Sequence, residues 1–303
     1  MTVHQLAAYI RKHSFLISNL VGMALDSLVF EGESALLNSG QLTVEQIESY
    51  QAQLRELPEP PSAAEVIDVW ERIAILDTII IFSRSVAAGD GVLEEMDQVK
   101  VPPLIDINHL LRNANQTCDE IVQALKMVPY TNRVVACEEF EERLIPEFDN
   151  PVKMTVFGYF SRDYATEVYG DTLMGLLFPA ITQADKAWGR SSSRRQLLLI
   201  GLELEKYRLQ NGSFPESLNP LKDRLPAETF IDYFTDASLV YRPSATGYMI
   251  YSIGDNLRDD DGKSFDNPPD PKDPFNRTDD MVLKVNLNPE PARAERPSDE
   301  LQE

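Results

Sequence analysis

The sequence predicts an α+β fold in which a helical array is followed by a long helix and a small antiparallel sheet. Three observations predict it. Apolar residues recur at three and four positions through the first two-thirds of the 303-residue chain. Prolines and capping pairs cut that stretch into helices with short connections. After Asn211-Gly212 the text changes to short β-prone runs between turn residues.

The elements follow in order. Val3, Leu6, Ala7 and Ile10, then Leu16, Leu20, Met23, Ala24 and Leu28, form a helical stripe that Asn38-Ser39-Gly40 stops. Thr43 with Gln46 is a capping box before a short helix closed by Pro58, Pro60 and Pro61, and Ser62 with Glu65 repeats the device. The next helix, with Val66, Val69, Trp70, Ile73, Leu76 and Ile79 to Ile81, is the most apolar segment and is expected to be buried on several sides. Pro102-Pro103 breaks the chain, a helix runs from about Asp106 to Met127, and Pro129 leads to an acidic helix ending near Pro146. The aromatic stretch 150–170 has no period and reads as a connector packed on the helices. A long helix starts near Thr172 or Pro179, is polar at Arg190 to Arg195, and ends at Gln210 with Asn211-Gly212 as its cap. Leu239 to Tyr241 and Tyr248 to Tyr251 read as a hairpin around a longer loop, Pro243 to Gly247, and Met281 to Val285 as a third strand. The expected organisation is a helical array over 1–150, a connector and helix start over 151–189, an α+β module over 190–285, and a disordered tail over 286–303.

Composition narrows the function. Apolar residues make up 43% of the chain, enough to bury a core. The formal charge is −21, divided as −14 over residues 1–190 (14 basic, 28 acidic) and −7 over 191–303 (14 basic, 21 acidic). Neither part offers the basic surface that condenses on phosphate, so no nucleic-acid partner is expected. Phe15 to Phe30 is too short and too polar to span ~30 Å of hydrocarbon. Cys118 and Cys137 lack CxxC spacing, which leaves a disulfide between them open and excludes dithiol and zinc-finger motifs. GxGxxG, GxxxxGK and HExxH are absent.

One segment resembles a known family. Leu202 to Pro215, with Tyr207, Asn211-Gly212 and Phe214-Pro215, is similar to the helix end and turn of type II secretion major pseudopilins. Pro226, Asp232, Phe234, Tyr241, Gly247-Tyr248, Tyr251-Ser252, Gly254 and Asp279-Asp280 continue in that family's order, over roughly residues 190–285. The preceding helices look like those of uncharacterised bacterial proteins that end in such a module. The resemblance implies a pseudopilin-like head and an extracytoplasmic place. Membrane contact would come only through an anchoring segment that this chain does not carry.

In the pseudopilin pattern, an Asp after the Ser-x-Gly turn and an Asp before the last strand bind calcium. Asn256 and Asp280 stand at those positions, with Asp255 beside the first, and Leu257 replaces a glycine. Residues 255–280 hold nine aspartates, a density that a hard cation or plain solvation must compensate. The candidate calcium ligands are therefore Asp255, Asn256, Asp259, Asp260 and Asp280. The spacing is not that of an EF-hand, whose first position would be Leu257.

A second candidate site is the polar helix face of Asp106, Asn108, Arg112 and Asn115, which would bind a small ligand if it lined a groove. Glu138, Glu139, Glu141, Glu142 and Glu147 read as a solvent-facing stripe, and His4, His13 and His109 have no local nucleophile. The expected function is a non-enzymatic interaction or assembly module with a protein partner and a calcium-stabilised head. The alternatives are a helical peptide-binding or scaffold protein and a carboxylate-dependent hydrolase.

Overall fold

The computed structural model describes residues 2–12, 15–88, 106–144, 161–163, 166, 170, 174–175, 181–264 and 278–287. The Pro102-Pro103 break, Glu147, His13, most of the connector, the helix start before Ile181 and the tail beyond Leu287 lie outside these residues.

The fold is α+β. Helices α1 (Thr2–Arg11), α2 (Leu16–Asn38) and α3 (Val44–Glu56) are followed by the short α4 (Ala63–Glu65). A π-helical turn (Val66–Glu71) then runs directly into α5 (Arg72–Ala88). Helices α6 (Ile107–Leu125) and α7 (Tyr130–Leu144) complete the array, and α8 (Ile181–Asn211) is the long helix. Both capping boxes form, Thr43 with Gln46 and Ser62 with Glu65. Asp106 caps α6 by accepting from the backbone N–H of His109 at 3.1 Å. Gly212, at φ +84°, ends α8.

The π turn explains why the most apolar segment is not enclosed. Its extra residue rotates the helix, so Val66, Ile67, Ile75 and Ile79 are buried while Val69, Trp70, Ile73 and Ile81 are exposed. Phe15 stands edge-on to Trp70, with ring centroids 6.1 Å apart, and extends the exposed apolar strip onto α2. No helix among the described residues is long and apolar enough to cross a membrane.

Beyond α8, strands β1 (Val240–Ser244), β2 (Gly247–Ser252) and β3 (Met281–Asn286) form an antiparallel sheet in the order β1-β2-β3. The hairpin is tighter than expected. Ser244 pairs with Gly247, so only Ala245 and Thr246 turn the chain, and Pro243 lies within β1 opposite Tyr248. Proline is tolerated there because β1 is an edge strand. In β3, Met281, Leu283 and Val285 face inward and Lys284 outward.

Two apolar cores result. The first gathers α2, the turn before α5, α6, α7 and the start of α8 up to Trp188. Cys118 and Cys137 are buried there as free thiols, so the disulfide left open by the sequence does not form. The second gathers Leu197 to Leu204 of α8, the sheet, and Phe230 and Phe234, and also takes Leu37, Ile47, Leu54 and Tyr130 from the array. Asn38 extends this union, since its amide donates to the carbonyl of Lys284 at 2.8 Å and accepts from the backbone N–H of Asn286 at 2.8 Å.

Candidate metal centre

The chain leaves β2 through Gly254 to Leu257, a turn with φ of +86° at its first residue and +58° at its last. A side chain at 254 would place a Cβ 2.6 Å from the carboxylate of Asp279, so glycine opens the space that Asp279 fills. Leu257 also adopts the left-handed conformation, which costs a branched residue on the order of 1 kcal/mol.

The returning strand brings Asp279 and Asp280 against this turn. One oxygen from each of Asp260, Asp279 and Asp280 lies within 4.8 Å of the others. Oxygens on one calcium stand ~2.3–2.6 Å from the ion, so two of them can be up to about 5 Å apart, and the cluster fits. Asp280 is 1% exposed and accepts from the backbone N–H of Gly262 at 2.8 Å. Asp279 Oδ2 accepts from the N–H groups of Asp255 and Asn256 at 3.0 and 3.1 Å, while its Oδ1 is buried without a hydrogen bond. Among the described residues, none of the three forms an ion pair with a cationic side chain. Burial, then the neighbouring Asp255 carboxyl, raises Asp279 to about 7. Burial raises Asp280 to about 6 against the pull of the Gly262 and Asp260 N–H groups.

The other residues expected in the ligand set do not present a free oxygen to the same point. Asp255 is tied to α8, with Arg190 at 2.7 Å and Lys186 at 3.3 Å; burial raises its carboxyl, and the Asp279 carboxyl, then Arg190 and Lys186, more than offset this and lower it. The Asn256 amide nitrogen donates to Asp260 at 2.9 Å, presenting hydrogen to the cluster instead of oxygen. Asp259 accepts from the Tyr251 hydroxyl at 2.9 Å and faces Arg242. The structure thus brings Asp260 and Asp280 together and adds Asp279, while Asp255 and Asn256 border the cluster, the first beside the Asp279 carboxyl and the second through its bond to Asp260, and Asp259 turns to Tyr251 and Arg242. The Asp279-Asp280 pair ahead of β3 was the sequence signal for that third residue.

The polar face of α6 is taken up by the fold. Asp106 is the helix cap and meets Arg162 at 3.6 Å. Asn115 accepts from Arg72 at 2.8 Å, and Asn108 and Arg112 are exposed. The glutamates of α7 are mostly solvent-facing, with Glu141 accepting from the N–H of Thr182 at 2.7 Å. Both ring nitrogens of His4 meet carboxylates, Asp26 and Glu33, each at 2.7 Å, so no nucleophile adjoins it.

Comparison of the chain with protein-family models, curated proteins and solved structures found no match.

Proposed function

We propose that the chain is a non-enzymatic interaction module whose pseudopilin-like head is closed by calcium and whose helical array docks a protein partner. One observation carries the reading: Asp260, Asp279 and Asp280 converge without a cation from the described residues, and one Asp279 oxygen is buried with no hydrogen bond. Calcium would supply charge to that group and take further oxygens from the loop. The exposed strip of Phe15, Trp70 and Ile73 supports the protein contact.

Thermal unfolding tests the metal. Millimolar calcium is expected to raise Tm by several degrees, since a ligand at ~100 Kd stabilises by ~2.7 kcal/mol. Chelation should reverse the gain, magnesium should give less of it, and Asp280→Asn should abolish it. The scaffold reading, favoured by the apolar strip alone, treats the head as a folded cap. An unchanged Tm in calcium would decide for it.

A further inference from the structure

The polar band Arg190 to Arg195 lies in the middle of α8 and belongs to neither core. The helix leaves the first core at Trp188 and enters the second at Leu197. Between them lies a cavity of about 490 Å³, inside the ~300–1,000 Å³ range of small-molecule sites. Met23, Leu54, Leu57, Pro58, Trp188 and Leu198 give it an apolar wall.

The remaining wall is charged. Asp26 meets one ring nitrogen of His4 at 2.7 Å and pairs with Arg11. Glu33 meets the other ring nitrogen of His4 at 2.7 Å and accepts from the Tyr50 hydroxyl. Asp185 accepts from Arg133 at 3.3 Å and from the Tyr233 hydroxyl at 3.1 Å. Glu65 is held by the Ser62 cap at 2.7 Å. Every carboxylate on the wall is therefore committed.

Arg195 lines the cavity, half-buried, and has no ion pair or hydrogen bond among the described residues. It stands near another cation: burial, and then Arg195, lower Arg11 to about 10. Lys126, on the same wall, is exposed to solvent. An unpaired guanidinium beside a like charge favours an anion from outside the chain. Its planar fork suits a carboxylate, and because Arg11, Arg133 and Arg194 have partners and Lys126 is exposed, Arg195, among the described residues, suits a single negative charge.

We infer that this cavity binds a small amphiphilic monocarboxylate, with its head on Arg195 and its hydrocarbon body against Met23, Leu54 and Trp188. The inference is independent of the calcium reading, because the metal residues do not line the cavity.

The chain has two tryptophans, so Trp70→Phe leaves Trp188 as the sole indole reporter. The full chain with that change would be titrated with decanoate below its micelle concentration, and with 1-decanol and decyl phosphate. Decanoate should give a saturable fluorescence change. Affinity should fall at least about tenfold for 1-decanol, and likewise for decanoate with Arg195→Met. Arg195→Lys should lie between, and Lys222→Met, on the exposed surface, should match the parent. Arg195→Met should keep its ligand-free Tm at or above the parent's, because it removes a charge that repels Arg11. The inference is overturned by no saturable response, by equal binding of 1-decanol, or by unchanged affinity in either Arg195 variant. Preference for decyl phosphate would overturn the carboxylate assignment.

Discussion

Asp279 and Asp280 are neighbours in sequence, and their burial gives the head a pH dependence whose direction calcium should reverse. Their raised values, about 7 and about 6, exceed the ~3.9 of an unfolded aspartate. Between about pH 4 and 7 this pair therefore binds more protons in the folded chain than in the unfolded one, and its contribution to calcium-free stability falls as pH rises through that window. Calcium needs ionised oxygens, so its stabilising effect should grow over the same range. Urea midpoints at pH 5 and 8, compared between the parent and the Asp279→Asn, Asp280→Asn double variant, read the first effect. The double variant should lose less stability on going to pH 8, and equal losses would contradict the burial of this pair. At this scale the sequence showed the density of aspartates and not their allegiance. Arg190 and Lys186, 65 or more positions away along the chain, claim Asp255, and only the folded approach of α8 reveals it.

Among the elements, α8 shows how one helix serves several partners. At Gly201 it meets α2, β2 and β3 together: a Cβ there would stand 2.5 Å from Leu283, 3.0 Å from Leu37 and 3.1 Å from the Tyr248 hydroxyl. Gly32, on the exposed face of α2, would find nothing within 4 Å. The same substitution should therefore act with opposite sign at the two sites. Gly32→Ala gains the ~1 kcal/mol of helix propensity. Gly201→Ala gains it too, but loses more to overpacking, which costs ~1–3 kcal/mol, so net destabilisation is expected. Chemical denaturation of both variants checks the pair, and stabilisation by Gly201→Ala would show that the sheet does not press on α8. The helices were legible because caps and prolines are local signals, as at Thr43, Ser62 and Asp106. The π turn at Val66–Glu71 was not, since nothing in its residue types distinguishes it from a regular turn. The two-residue hairpin turn was hidden by Pro243, which reads as loop unless β1 is known to be an edge.

For the whole molecule, the question is whether array and head are separate units, as the expected division at residues 150 and 190 supposes. The packing argues for one unit. Helix α8 runs for 31 residues, ~46 Å at 1.5 Å per residue, and contributes to both cores. Helix α2 does the same, with Met23 in the first core and Leu37 in the second. Deleting residues 190–303 would strip Leu37, Ile47, Leu54 and Tyr130 of their apolar partners, so a truncated array could not report on partner binding. The sequence could not show this, because periodicity marks which face of a helix is buried and not which neighbour buries it. Leu37, 1% exposed, provides the test. Leu37→Ala should cost ~2–5 kcal/mol in the second core. In a single cooperative unit the most protected amides of α6, which lies wholly in the first core, must lose protection by the same amount as those of β2. Native-state hydrogen exchange measures both. Loss confined to β2 and its neighbours would mean that the two cores open separately, with α8 as a hinge instead of a shared spine.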